Sequence, residues 1–155
     1  MIFTAEKIKE AIKSKEIIID PFNESYLKSG SYTFTLGNKF RKLKPVEFID
    51  SRTKGLDFEE FEIGKNGYLI KPGEFIICHT NENLKIGDNV ACFLSMKGLI
   101  AQAGLDALQC EIFCEPGSEG GWDGKLMLET HNKGPYPIQL FSGIKIIKGI
   151  FIRLN

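Results

Sequence analysis

Glu129 is the residue of this sequence whose type and position best suit chemistry. It lies between Leu126-Met127-Leu128 and Thr130, in a segment that is otherwise apolar or β-branched and typical of a strand. Burying an unpaired carboxylate costs free energy, and desolvation moves the pKa of a carboxyl group towards neutral pH, where a general base must work. We therefore expect Glu129 to lie in a pocket that uses it for proton transfer.

A loop rich in glycine and acidic residues, 115–124, precedes this segment. Glycine lets backbone N–H groups approach a phosphate, whereas carboxylates repel one. Two interpretations stay open: a solvated hairpin loop, or a flexible pocket rim whose carboxylates help to hold a magnesium ion that carries nucleotide phosphates. Trp122 in this loop either packs at the edge of a sheet or covers a base.

Lys97 and Gly98 follow an apolar segment that is predicted to be a strand. A lysine beside a glycine at the end of a strand is suited to contact a phosphate as a point charge. A solvated surface lysine explains the pattern equally well, so both interpretations stay open.

Metal and nucleophile chemistry find little support in the sequence. A zinc-dependent deaminase requires His-x-Glu and a later Pro-Cys-x-x-Cys, whereas His79 is followed by Thr80-Asn81 and no Cys-x-x-Cys is present. His79 and His131 are the only histidines, and we expect both to be half-exposed strand residues. The cysteines are expected to be core residues. If Cys110 and Cys114, the best metal candidates among them, lie on one strand, they stand about 13 Å apart, which is too far for both to bind one metal ion. We predict no metal site and no zinc.

Length and charge narrow the class of protein. A chain of 155 residues is typical of one domain with its own core, so we predict a single domain over 1–155. Basic and acidic residues both number 20, and a balanced charge argues against binding nucleic acid or an anionic membrane surface. No apolar run approaches the roughly 18 residues of a membrane span. The charged N-terminal segment does not resemble a signal peptide, so we expect a cytoplasmic location.

Residue periodicity predicts one helix near the N-terminus, followed by many short strands. Ile8, Ala11 and Ile12 recur at helical spacing behind a capping Thr4, and the helix should end near 14–16. The segments 51–67 and 81–88 are expected to be a surface excursion and a turn-rich connector. The predicted strands are 17–19, 31–36, 40–43, 48–49, 67–70, 74–79, 90–95, 108–114, 126–131, 138–141 and 144–154. This pattern indicates an all-β sandwich or barrel.

Motifs along nearly the whole chain resemble, in one order, those of the dCTP deaminases within the trimeric dCTP deaminase and dUTPase superfamily. They are Ile17-Ile18-Ile19-Asp20-Pro21-Phe22, Ser31-Tyr32-Thr33-Phe34-Thr35-Leu36-Gly37-Asn38-Lys39-Phe40, Lys71-Pro72-Gly73-Glu74, Leu126-Met127-Leu128-Glu129-Thr130-His131-Asn132, Gly134-Pro135-Tyr136-Pro137-Ile138 and Ser142-Gly143-Ile144-Lys145-Ile146. The resemblance implies a distorted jelly-roll (dUTPase-like β-clip) fold with one short N-terminal helix. It also implies a homotrimer with active sites where subunits meet.

The chemistry that the resemblance implies is metal-free deamination of the cytosine ring, from dCTP to dUTP. Glu129 falls on the glutamate that acts as general base in that family, activating water for attack on the ring. The implied partner is a pyrimidine deoxynucleotide, with Mg²⁺ on its triphosphate and no zinc.

Several family positions differ in this chain. The family's phosphate and catalytic segment, Gly-Arg-Ser-Ser-Leu-Ala-Arg-Leu-Gly-Leu, corresponds to residues 96–105. Lys97 replaces the first arginine and can still hold a phosphate, Gly98 replaces a serine and lacks its hydroxyl, and Gln102 replaces the second arginine and lacks its charge. Losing a charge-assisted contact or a positioned hydroxyl should cost on the order of 1.5–3 kcal/mol.

Further differences lie in the segment before the glycine-rich loop. Glu111, within Gln109-Cys110-Glu111, stands where the family has a small residue whose backbone helps to place the base and the water. The family's Asp-Pro-Gly rim becomes Glu115-Pro116-Gly117, followed by an insertion. Family members usually continue into a tail that closes over the nucleotide, and this sequence ends at Asn155. The candidate substrate-binding residues are Lys97, Gly98, Gln102, Gln109, Cys110, Glu111 and Glu115.

Three functional hypotheses remain. The first is an enzyme that acts on pyrimidine deoxynucleoside triphosphates, by dCTP deamination or by dUTPase-like release of pyrophosphate, with Glu129, Lys97 and Glu115 in the site. The second is a nucleotide-binding or regulatory trimer that has lost the chemistry. The third is a structural or interaction jelly roll with no ligand.

Overall fold

Helix α1 spans Ala5–Lys13, and it confirms the helix predicted from the N-terminal periodicity. The Thr4 hydroxyl accepts a hydrogen bond from the backbone N–H of Lys7 (3.4 Å), which satisfies one free donor of the first turn. Ile8 and Ala11 are buried, so one face of the helix packs on the sheets while the charged face meets solvent.

The computed structural model describes all 155 residues, and the chain after α1 is mostly β-strand. A second short helix, α2, spans Gly98–Gln102 and was not expected from the sequence. The strands in chain order are β1 (Ile17–Asp20), β2 (Leu27–Lys28), β3 (Ser31–Thr35), β4 (Lys39–Leu43), β5 (Phe58–Glu62), β6 (Tyr68–Ile70), β7 (Phe75–Ile86), β8 (Val90–Met96), β9 (Leu105–Asp106), β10 (Phe113–Cys114), β11 (Asp123–Asn132), β12 (Ile138–Leu140) and β13 (Lys145–Arg153).

These strands form two main sheets and a small one, and all their pairings are antiparallel. The first sheet has the order β5-β4-β7-β11-β9, and β1 also pairs with β7. The second has the order β10-β8-β13-β3-β2, and β12 pairs with β6. This arrangement of open, packed sheets is the jelly-roll-like all-β fold predicted from the sequence.

The core lies between the two main sheets and follows from the alternation of side chains along each strand. On β7, alternate side chains from Ile76 to Ile86 are buried. On β11, Leu126, Leu128 and Thr130 are buried in the same way. The intervening side chains of both strands therefore lie on the outer face of the first sheet.

Buried polar groups join the two main sheets. Glu82 on β7 is only 2% exposed, and its carboxylate accepts hydrogen bonds from the backbone N–H (3.0 Å) and the hydroxyl (2.8 Å) of Thr35 on β3. Asn81 donates to the same hydroxyl at 3.1 Å. These contacts fix how the sheets pack, because a buried polar group is stable only when it is paired.

Some element predictions were wrong. Segment 81–88 was expected to be a connector, but β7 runs through it to Ile86 because Leu84 and Ile86 alternate into the core. Segment 51–67 contains strand β5, whose alternating acidic residues disguised it. The predicted strand 108–114 is strand only at its last two residues, and 48–49 is not a strand. No helix in the chain has the length and apolar character required to cross a bilayer.

Candidate functional site

Glu129 lies on the outer face of the first sheet, not among the core residues that flank it in sequence. Leu128 and Thr130 point into the core, and Glu129 stands directly across from Ile77 of β7. Alternation along β11 therefore turns Glu129 outward, away from the core that its two neighbours enter. Its side chain is half-buried, and its Oε2 atom is enclosed without any hydrogen-bond partner.

Arg41 approaches the same part of the sheet from the other side of β7. It pairs in register with Ile77, and its Nη2 atom lies 3.0 Å from the sulfur of Met127 on β11. Its guanidinium stacks over the ring of Phe58 at 4.5 Å, and its Nε atom is buried and has no partner. Arg41 and Glu129 thus each carry an unpaired buried polar atom on one sheet face, yet they form no ion pair.

Glu111 is close enough to both Glu129 and Glu115 to be affected by their charges. Glu111 is half-buried, and its pKa is raised. Burial is the largest cause, followed by the negative charges of Glu129 and Glu115. The structure thus brings three of the predicted site residues close enough to interact electrostatically. Because like charges repel, this group favours a ligand that presents hydrogen-bond donors, or a water molecule, over a bare anion.

The acidic loop 115–124 is anchored to the rest of the fold. Asp88, in the turn between β7 and β8, accepts hydrogen bonds from the backbone N–H (2.7 Å) and the hydroxyl (3.0 Å) of Ser118. Trp122 packs against the hydrophobic core, and its indole N–H donates to the carbonyl of Gly124 at 3.1 Å. Trp122 is therefore a packing residue of this loop, which is held beside the strand that carries Glu129.

The remaining predicted residues lie on α2 and on the segment that follows β9. Lys97 precedes α2 and is half-buried, whereas Gly98 and Gln102 on the helix are exposed. Gln109 and Cys110 are exposed too. Helix α2 packs beside β9, and β9 pairs with the end of β11, two residues beyond Glu129. No ion pair or hydrogen bond joins the side chain of Lys97 to Glu129.

The chain contains two sizeable cavities, and Glu129 lines neither. A cleft of about 440 Å³ lies over β4, β5 and β7 on the same sheet face as Glu129. A more open depression of about 690 Å³ lies near Phe22, Asn81 and Glu82. A nucleotide bound at Glu129 would thus need walls other than those of these two cavities.

The histidines and three of the four cysteines occupy the kinds of position expected from the sequence, whereas the expectation of a core position is wrong for Cys110. His79 on β7 and His131 on β11 are half-buried strand residues. Cys78, Cys92 and Cys114 are buried, while Cys110 is exposed. No group of three His, Cys, Asp or Glu side chains is arranged to hold a metal ion.

Sequence reasoning missed Arg41, which carries the second unpaired atom of this face. The signal was weak, because the β4 sequence Lys-Phe-Arg-Lys, with three basic residues, is typical of an ordinary half-exposed strand. Only the register of β4 on β7, which places Arg41 in line with Glu129, distinguishes it from its neighbours.

Comparison with known proteins covers almost the whole chain. A family model described as dCTP deaminase-like matches residues 2–154. A relative from Hydrogenobaculum sp. (strain Y04AAS1), named "dCTP deaminase, dUMP-forming", is 30% identical over 161 residues, covering 100% of this chain and 84% of the relative. A relative of the same name from Nanoarchaeum equitans (strain Kin4-M) is 30% identical over 173 residues, covering 100% of this chain and 85% of the relative.

A solved structure supports the fold. The crystal structure of 2'-deoxycytidine 5'-triphosphate deaminase from Agrobacterium tumefaciens superimposes with a TM-score of 0.74 at 16% identity. The match covers 99% of this chain but spans only 48% of that protein's length. At this identity the likeness concerns the architecture of the strands and not the residues of the site.

Proposed function

Because the chain belongs to the dCTP deaminase-like family, we propose that it binds a deoxycytidine nucleotide and hydrolyses the exocyclic amino group of its cytosine ring. The observation that carries this proposal is the enclosed, unpaired Oε2 atom of Glu129. A buried carboxylate oxygen without a partner costs free energy in the empty protein, and it is ready to accept a proton or a hydrogen bond from a ligand.

Glu129 acts as the general base in the proposed reaction. It takes a proton from a water molecule, whose oxygen forms a bond to C4 while the C4=N3 double bond opens, and it passes this proton to the amino nitrogen. The second proton of the water ends on N3 of the ring as the C4 carbonyl forms. The C4–N bond then breaks, ammonia leaves and a uracil nucleotide remains. Proton transfer by one positioned carboxylate is the role that general acid–base catalysis assigns to such a group.

The other candidate residues would bind the substrate. Lys97 would contact the phosphates as a point charge, and the backbone of Gln109, Cys110 and Glu111 would border the base. Magnesium would arrive with the triphosphate, since phosphate oxygens and one or two carboxylates are its usual ligands in nucleotide sites, and Glu115 is the nearest such carboxylate on the rim.

The proposed active unit is a homotrimer in the cytoplasm. Glu129 lies on an outer sheet face and lines neither sizeable cavity of the single chain. A second subunit packed against the part of this face around Glu129 would supply the missing walls and the cationic groups that Gly98 and Gln102 lack. It would also complete the site around the Oε2 atom, which the single chain encloses but leaves without a hydrogen-bond partner.

A second candidate function is nucleotide binding without turnover. It is favoured by the exposed positions of Gly98 and Gln102, which bring neither hydroxyl nor charge to α2. Losing those contacts would slow deamination by several powers of ten if nothing replaces them. Pyrophosphate release from dUTP is a third outcome, since the relatives above are named dUMP-forming.

Incubation with dCTP or dUTP and magnesium, followed by chromatographic separation of the nucleotides, distinguishes these functions. Conversion of dCTP to a uracil nucleotide that is abolished in Glu129→Gln and retained in Glu59→Gln, an exposed control, supports deamination. Thermal stabilisation by dCTP without any product supports the binding function. Turnover of dUTP alone supports the pyrophosphatase, and no effect of either nucleotide contradicts the proposal.

A further inference from the structure

The cleft over β4, β5 and β7 is a feature that the proposed reaction does not use. Its volume, about 440 Å³, lies within the range of small-molecule sites. It is lined by three cationic side chains, Lys39, Arg41 and Lys125, by two carboxylates, Glu60 and Glu62, and by His79. Glu129 and Lys97 do not line it, so this cleft is separate from the proposed deaminase site.

The charged side chains of the cleft are unpaired, although the strands set them opposite each other. Arg41 stands across from Glu60 and Lys39 across from Glu62 in the register of β4 on β5. None of the cleft's charged side chains takes part in an ion pair closer than 4.0 Å. Three cations are therefore free to meet a ligand.

Arg41 gives the strongest indication of what that ligand is. Its Nε atom is buried with no partner, and its Nη2 atom contacts only the sulfur of Met127, which is a weak acceptor. Phe58 stacks on the guanidinium and holds it in place. A fixed guanidinium with unsatisfied donors is the usual means by which proteins hold phosphate or carboxylate oxygens.

We propose that this cleft is a second, anion-binding site that accepts the phosphate group of a small molecule, with Lys39, Arg41 and Lys125 as its cationic contacts. Glu60 and Glu62 reduce the formal charge of the lining to one positive. The cleft therefore favours a monophosphate over a triphosphate, and the two carboxylates can accept hydrogen bonds from the rest of the ligand. This proposal does not depend on the deaminase reaction.

His79 reports on the occupancy of the cleft. Burial lowers its pKa, as do the positive charges of Arg41 and Lys125, against the opposing effects of the Lys39 backbone and Glu60. A phosphate beside these groups would offset the positive charges and raise the pKa of His79. His131 lies two residues beyond Glu129 on β11, so the chain's two histidines report on the two sites separately.

The test is a titration of the wild-type protein with inorganic phosphate and, separately, with dUMP, followed through the imidazole resonances of both histidines by NMR. We expect a saturable shift of His79 and a higher pKa for it, with His131 unchanged by phosphate. Deoxyuridine, which lacks the phosphate, should leave His79 unchanged. Tighter binding of dUMP than of phosphate would identify a nucleotide as the ligand, and equal binding would identify the free anion.

Variants make the assignment specific. Lys39→Gln and Lys125→Gln, at exposed positions, should each weaken binding about tenfold, as expected for one charge-assisted contact. Lys28→Gln, an exposed lysine of the second sheet, is the matched control and should bind as wild type. Glu129→Gln should bind phosphate normally, even though it abolishes the proposed deamination.

Three results would overturn the anion site. The first is no saturable shift of His79 with either monophosphate. The second is a shift confined to His131, which would locate the phosphate at Glu129. The third is an equal loss of binding in Lys28→Gln and in the two cleft variants, which would indicate non-specific attraction.

Discussion

At the scale of single residues, two glutamates on neighbouring strands differ in what surrounds them. Glu82 is buried and fully hydrogen-bonded by Thr35, whereas the enclosed Oε2 atom of Glu129 has no partner. A satisfied carboxylate stabilises the fold, and an unsatisfied one costs free energy unless a ligand completes it. This difference, and not the presence of a carboxylate alone, identifies Glu129 as the candidate catalytic residue.

The pH dependence of stability should reveal the repulsion at Glu111. Its pKa is raised in the folded protein, so the folded state binds the proton more tightly than the unfolded state. Stability therefore falls as the pH rises from the unfolded pKa through the folded pKa. Glu111→Gln should increase the free energy of unfolding by about 0.5 kcal/mol at neutral pH, a value suited to a half-exposed charge.

This gain should vanish below about pH 4, where the carboxyl group is protonated in both states. Urea unfolding at several pH values measures it, with Glu119→Gln in the exposed part of the loop as the control. A gain that stays constant with pH would contradict the raised pKa of Glu111, which burial causes first and the charges of Glu129 and Glu115 second.

The sequence singled out Glu129, Glu111 and Glu115 as candidates, but it could not show how their side chains are oriented. A lone carboxylate in an apolar strand stands out in any strand assignment, yet the face it occupies depends on register. Arg41 escaped detection for the same reason, because its importance rests on being aligned with Ile77 and Glu129 across three strands.

At the scale of elements, β7 is the strand on which the arrangement depends. It pairs with β1, β4 and β11, and through Glu82 it also binds β3 of the opposite sheet. Turn-forming residues such as Asn81, Asn83 and Gly87-Asp88 obscured its length in the sequence. Their neighbours Leu84 and Ile86 carry the alternation that extends the strand, and the pairing with β1 and β11 stabilises it.

Removal of the Glu82 carboxylate should loosen the contact between sheets. Glu82→Ala leaves the buried N–H and hydroxyl of Thr35 without acceptors, at a cost of about 2 kcal/mol. Glu82→Gln should cost less, because its amide oxygen can still accept. Urea unfolding measures the free energy of unfolding of both variants, with Glu47→Ala in an exposed loop as the control. An unchanged free energy of unfolding in Glu82→Ala would contradict the role of Glu82 in joining the two sheets.

The acidic loop should depend on Asp88 for its order but not for the fold. Asp88→Ala removes both hydrogen bonds to Ser118, so amide hydrogen exchange in 115–124 should accelerate while β7 and β11 stay protected. If exchange in the loop does not change, the loop is held by other contacts, with Trp122 as the first candidate.

At the scale of the whole molecule, the single chain presents the proposed catalytic residue on an open face. The all-β fold class and the family resemblance were both within reach of the sequence, since ordered motifs run from residue 17 to residue 146. The sequence could not show whether another chain packs on the outer face of the first sheet. A balanced composition and a pattern of alternating strands do not indicate which sheet faces pair between chains.

Assembly should therefore decide activity. Sedimentation equilibrium is expected to give three times the 17.4 kDa chain mass. Dilution below the protein concentration at which the trimer forms should abolish turnover, and concentrating the protein again should restore it. A protein that remains monomeric and still deaminates dCTP would contradict a site shared between subunits.

The most direct test of the account is deamination in ¹⁸O-labelled water, with the products analysed by mass spectrometry. Attack of a water molecule activated by Glu129 predicts one ¹⁸O atom on the uracil ring of the product, and no labelled uracil from Glu129→Gln. Label found only on phosphate, or no conversion of dCTP by the assembled wild-type protein, would contradict it.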